Sequence, residues 1–329
     1  MPAHRDEWPD FDAYLEDAYA RGWTDGLPVV PATPEKVASF LAAAGLAPEA
    51  VLGSVPTREV TVTAEDAAVN AVMAGCLPEY FPVVVAAVRA HLDEKGNCHS
   101  TTGTLSGAAH AVIVNGPVRE QIGVASGAGC LGPGFRANAT IGRALRLVIR
   151  NVCRAVPGVL DRATYSWPLR YSFCFGEHEE ASDWTPLHVQ RGFAPDASAV
   201  TVHSVMRMVS SWDSDARNPE AVAATLVADT RHHGIRGDDF LGDGVNVVYV
   251  MGREHQRFFL EAGWSKEDLQ AYLFPRLSAE ATGPRDRHVN VSRPENILVV
   301  QAGGAGMSET WILFPHLAHA ITRLVEPAV

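Results

Sequence analysis

Five glycines, Gly127, Gly129, Gly132, Gly134 and Gly142, together with Pro133, crowd the stretch GAGCLGPGFRANATIGRALRLVIRNVCR at residues 127–154. A run so rich in glycine and proline cannot form the interior of a strand or helix. It predicts a loop whose backbone comes close to something. From Ala137 onward the pattern changes: Ile141, Leu145, Val148, Ile149 and Val152 recur at helical spacing, with Arg143, Arg146, Arg150 and Arg154 along the opposite face. The earlier run AHAVIVNGP, residues 109–117, reads as a buried strand ending in an Asn115-Gly-Pro turn. The unit is therefore strand, intervening segment, glycine loop and helix, with Arg136 and Asn138 at the helix mouth. A helix N-terminus offers unpaired N–H groups and a positive dipole end. This predicts a pocket for the carboxylate or phosphate of a small ligand, with Arg136, Asn138 and Asn115 as substrate-binding candidates. The alternative is a tight packing loop, and the arginine stripe reads as surface or as a subunit contact. The loop is neither a Walker A sequence nor a Gly-x-Gly-x-x-Gly fingerprint in its required context.

A chain of 329 residues can bury a large core and is long enough for two subdomains. The formal charge of −11 argues against nucleic acid or an anionic membrane as the main partner. No apolar run approaches the roughly 18 residues of a spanning helix, and the acidic, polar start MPAHRDEWPDFD is unlike a signal peptide. Five cysteines with no C-x-x-C pair suggest reduced thiols in a cytoplasm. A homo-oligomer is the default for an enzyme of this size.

Three further segments carry candidate chemistry. Residues 63–66 have capping-box spacing and open a helix ending near Gly75; Pro78 opens the next, over 78–95. Cys76 falls in the junction, just ahead of a helix N-terminus, a position that lowers a thiol pKa. It is the catalytic candidate; the alternative is a small buried residue in a helical corner. If the fold brings Cys98 or Cys130 to Cys76, a two-thiol site results. The second segment, YSFCFGEHEEASDWTPLHVQRGF at 171–193, sets Glu177, His178, Glu179, Glu180, Asp183 and His188 close beside an apolar strand. His178 and Glu180 are candidate acid/base groups, and His178, Glu180 and His188 are an alternative divalent-metal set, although their spacing matches no standard ligand motif. A charged surface loop is the plain alternative. No cofactor motif is present. In the third segment a buried strand at 294–301 runs into Ala302-Gly303-Gly304-Ala305-Gly306-Met307-Ser308. Its N–H groups can cradle an oxyanion, and Gly303, Gly304 and Ser308 join the substrate-binding candidates. Strands are further expected at 199–209 and 242–252, and WILFPHLAHAITRLV reads as a strand and helix, or as one helix kinked at Pro315.

The stretches GWTDGLPVVP, NAVMAGCLPEY, SGAGCLGPGFRANATIGRALRL, YSFCFGEHEEASDWTPLHVQRGF and ILVVQAGG resemble a family of bacterial proteins similar to the cysteine- and selenocysteine-containing proteins of the glycine reductase selenoprotein B type. The resemblance spans most of the chain. It implies a cytoplasmic α/β enzyme in which Cys76 is the position to test. The selenocysteine-Gly-Ser-Cys motif of the selenoproteins is absent, and Ala74-Gly75-Cys76 supplies one thiol only, which puts chemistry by a vicinal pair in doubt.

The expectation is an α/β protein of two related subdomains, residues 1–158 and 159–329, whose buried strands end in glycine-rich loops around a central cleft. The expected function is a thiol enzyme acting on a small anionic molecule, with Cys76 attacking a carbon or heteroatom centre. The alternatives are a metal-dependent hydrolase or lyase, and a non-catalytic ligand-binding or assembly protein.

Overall fold

The computed structural model describes residue 3 and residues 7–234, 245–283, 286, 289 and 291–326. The chain opens with helices α1 (Phe11–Ala20) and α2 (Pro34–Ala43), the hairpin β1 (Val51–Val55) and β2 (Val60–Thr63), and helices α3 (Ala64–Ala74), α4 (Phe81–His91) and α5 (Cys98–Thr102). The capping box at the start of α3 forms as its spacing predicts. The Thr63 side chain accepts from the Asp66 N–H, and the Asp66 carboxylate accepts from the Thr63 N–H. The helix expected over 78–95 is shorter. Residues Pro78–Tyr80 make a single 3₁₀ turn, and α4 stops at His91, because Asp93 caps a separate turn through the Lys95 N–H.

The rest of the chain alternates strands and helices: β3 (Ala109–Asn115), α6 (Val118–Gln121), α7 (Arg136–Asn151), β4 (Cys174–Gly176), α8 (Leu187–Gln190), β5 (Ala199–Trp212) and α9 (Pro219–His233). Then come β6 (Val247–Met251), α10 (Arg253–Glu261), α11 (Lys266–Leu277), β7 (Ile297–Gln301), β8 (Glu309–Pro315) and β9 (Ile321–Leu324). Residues 242–244 of the strand expected over 242–252 lie outside the described residues, as do residues 1, 2 and 4–6 of the acidic start.

The C-terminal segment is not helical. It forms β8 and β9, both antiparallel to β5. Ile312 and Phe314 face one apolar cluster and Leu313 another, so the segment is a strand buried on both faces. A short apolar run of this kind cannot be told from a buried helix by periodicity alone.

Seven strands form one sheet in the order β4-β3-β5-β8-β6-β7, with β9 beside β5 beyond the end of β8. The pairs β3/β4 and β6/β7 are parallel, and the central pairings β3/β5, β5/β8 and β8/β6 are antiparallel. The sheet curls until its two edges touch, where the His178 N–H donates to the Gln301 carbonyl (2.8 Å).

The curl separates three apolar clusters. The inner face collects Ala109, Ala111, Ile113, Phe175, Val205, Val248, Val300 and Leu313. Outside, one cluster joins Val112 and Val114 of β3 to α1–α4 and α7, and the other joins Val247, Tyr249, Ile297 and Val299 to α9–α11. Strands covered on both faces read as continuous apolar runs rather than alternating ones, and all seven residues of β3 are buried. Gly142 lets α7 sit against the lead into β4: a Cβ there would lie 2.7 Å from the Phe173 nitrogen.

Candidate functional site at the meeting of two glycine loops

The loop that precedes α7 and the loop that follows β7 meet. The Gly303 N–H donates to the Ser126 carbonyl (2.8 Å), and a Cβ on Gly304 would lie 2.6 Å from that of Ala128. Gly303 has φ +100°, a conformation that L side chains rarely adopt. Glycine is thus required at 303 by backbone conformation and at 304 by close approach.

Between the loops lies a cavity of about 370 Å³, lined by residues 128–132, residues 302–305, Val250, Gly252, Met307, Glu309 and Trp311. Cys130 stands in its wall. Burial pushes the Cys130 thiol up to about 11, against smaller opposing effects of the backbone N–H groups of Gly303, Cys130 and Leu131. Glu309 is the other titratable side chain in the wall, and the Ser210 hydroxyl donates to it (2.5 Å).

Of the residues singled out from sequence, Gly303 and Gly304 line this cavity, and Asn138 builds it. The Asn138 amide, 3% exposed, accepts from the Ala125 N–H (2.8 Å) and donates to the carbonyls of Ala125 (3.0 Å) and Cys130 (3.1 Å). It clamps the loop rather than facing a ligand. Arg136 donates to the Gly75 carbonyl through Nε (3.1 Å) and Nη2 (3.0 Å), tying α7 to the end of α3. The Ser308 carbonyl accepts from the Asp213 N–H (3.0 Å), and its side chain is outside the cavity wall.

Cys76 lies where the sequence puts it, after the Gly75 cap, but its thiol moves the opposite way from the expected one. Burial pushes it up to about 12, against smaller opposing effects of the Thr140 hydroxyl and of Arg136 and Arg143. A nearby helix end is a weaker influence than complete removal from water. Neither Cys98 nor Cys130 pairs with Cys76. Cys98 instead meets Cys153: the Cys153 thiol donates to the Cys98 sulfur, which holds Cys98 below and Cys153 above the usual thiol range. Arg58 fastens the two ends, donating to the carbonyls of Cys153 (2.7 Å) and Cys98 (3.4 Å).

Part of the acid/base segment after β4 folds inward as a network, while Glu180 and Asp183 stay exposed. Glu177, 3% exposed, accepts from Lys266 Nζ (2.6 Å), Asn115 Nδ2 (2.7 Å) and the Leu187 N–H (2.7 Å). Glu179 accepts from Asn115 Nδ2 (2.9 Å) and the Gly116 N–H (2.8 Å). Glu180 takes two bonds from Arg119, which hold its carboxyl below the usual range. His188 is fully buried, with Nδ1 4.0 Å from Glu179, and His178 meets the end of β7 through its backbone. Asn115 therefore orients carboxylates. Among the described residues no three His, Cys, Asp or Glu side chains are grouped so as to hold a metal ion, those at 178, 180 and 188 included.

Arg119 and Lys266 organise this network and were not singled out from sequence. Lys266 follows a capping Ser265, a pattern that reads as an exposed helix start, yet it is 1% exposed. No protein-family model matches the chain, and no curated protein matches it.

Proposed function

We propose that the protein is an enzyme acting on a small molecule in the cavity between the two glycine loops, with Cys130 rather than Cys76 as the reacting thiol. The observation that carries this reading is the position of Cys130, in the wall of the cavity between the two glycine loops. Backbone N–H groups of glycine loops suit an oxyanion formed when a thiolate attacks an electrophilic carbon. A volume of about 370 Å³ fits a compact substrate. Glu309, in the same wall, takes the proton-moving role that His178 or Glu180 was expected to fill. The glycine loops come from opposite sides of residue 158, so two related subdomains around one cleft remain part of the proposal.

A burst assay with 4-nitrophenyl acetate tests it. Cys130→Ser is expected to lose the burst by on the order of a hundredfold or more, with the acetyl group found on Cys130 in the parent protein, and Cys76→Ser to retain it. Retention of the burst in Cys130→Ser would remove this thiol from the chemistry. A thiol held at about 11 is almost fully protonated at neutral pH. That favours, as a second reading, a ligand-binding protein without turnover, which predicts saturable binding of small carboxylates and no acetyl adduct.

A further inference from the structure

The arginine stripe of α7 is not a solvated face. The turn at residues 23–27 and the segment at 155–171 cover it. Arg143 pairs with Asp25 (2.7 Å), and Arg146 is only 8% exposed. Between these elements lies a second cavity of about 420 Å³, which shares no lining residue with the glycine-loop cavity. Its wall brings together Arg146, Arg150 and Arg170 with the rings of Tyr165, Trp167 and Tyr171.

The charges in this wall do not cancel. Of its two carboxylates, Asp161 is taken by Arg170 and Asp25 by Arg143. Arg146 is left with neutral acceptors, the Arg170 carbonyl (3.2 Å) and His110 Nδ1 (3.0 Å). Arg150 donates to the Gly22 carbonyl and to Asn151 Oδ1 (3.0 Å). Among the described residues neither has a carboxylate in ion-pair contact. Burying a cation without a close counter-charge is costly. An anion seated between the guanidiniums supplies one, because the guanidinium fork matches a carboxylate or phosphate bidentately. The mouth is open beside Tyr165, which is 93% exposed, and the aromatic walls suit a flat ring.

We infer that this cavity binds a small aromatic anion, with Arg146 and Arg150 on its charged group and Tyr165, Trp167 and Tyr171 around its ring. The inference is independent of the reading of Cys130. Titration calorimetry on the full chain tests it, with benzoate and phenyl phosphate as probes and benzyl alcohol and inorganic phosphate as controls. At least one aromatic anion is expected to bind tenfold or more tightly than either control, which also tells carboxylate from phosphate. Arg150→Gln is expected to weaken it at least tenfold, and Trp167→Phe several-fold, while Cys130→Ser binds as the parent does. If Arg150→Gln does not fold, Arg150→Lys, which keeps the charge but loses the fork, is expected to bind several-fold more weakly than the parent. Aromatic anions no tighter than the controls, unchanged affinity in the folded Arg150 variant, or loss of binding in Cys130→Ser would each overturn the inference.

Discussion

Lys266 and Glu177 show how burial reverses the reading of a charged residue. Each is almost wholly buried, and each is the other's counter-ion at 2.6 Å. Removing one partner strands the other, and such a loss costs roughly 3–5 kcal/mol. Lys266→Met is therefore expected to lower the urea midpoint strongly, and Lys266→Met combined with Glu177→Leu to recover part of the loss. Equal melts for the parent and Lys266→Met would show that the pair contributes nothing. The sequence reveals both residues and the Ser265 cap, but not the neighbours that bury the pair. At Cys76 the same limit holds: its place at a helix junction is legible, while the packing that pushes its thiol up to about 12 is not.

At the scale of elements the glycine loop and α7 were legible and the use of Asn138 was not. Composition places the loop, and spacing places the helix; an amide at the helix mouth then looks like a ligand donor. In the fold that amide is consumed by the loop, through its bonds to Ala125 and Cys130. Each such buried bond contributes about 1 kcal/mol. Asn138→Ala is expected to cost roughly 2–4 kcal/mol and to speed amide hydrogen exchange at Ala125, whose N–H loses its acceptor; unchanged protection there would mean that the clamp is not what holds the loop. The strand pair β8 and β9 was illegible because its side chains divide between two apolar clusters, which erases the alternation that marks a strand.

At the scale of the whole molecule, the strand order β4-β3-β5-β8-β6-β7 sets two parallel pairs on either side of an antiparallel centre. The apolar runs ending in glycine hint at this balance. The register and the curl that join residues 126–130 to 302–304 depend on pairings between distant segments, which no local pattern encodes. A curled sheet buried on both sides also encloses histidines. Burial pushes His203 and His316 down to about 4. With an unfolded value near 6.5, each folded-state pKa is depressed, so the associated stability is present above pH 6.5 and lost as pH falls from there through about 4. For His203, fully buried, the loss is of order 3 kcal/mol. Urea melts at pH 7.5 and 4.5 are expected to show this drop, with a smaller one in His203→Gln. An equal drop in that variant would assign the acid sensitivity to other groups.

On the proposed reading, chemistry belongs to the cavity between the glycine loops and therefore to Cys130. The most direct test is the rate of iodoacetamide alkylation at each of the five cysteines, read by peptide mass spectrometry between pH 7 and 11 on the native protein. Cys130 is expected to react ahead of Cys76, at a rate that climbs toward a midpoint near 11. Cys76 reacting ahead of Cys130, with a midpoint below the usual thiol value of about 8.5, would contradict the account and return the chemistry to the junction of α3 and α4.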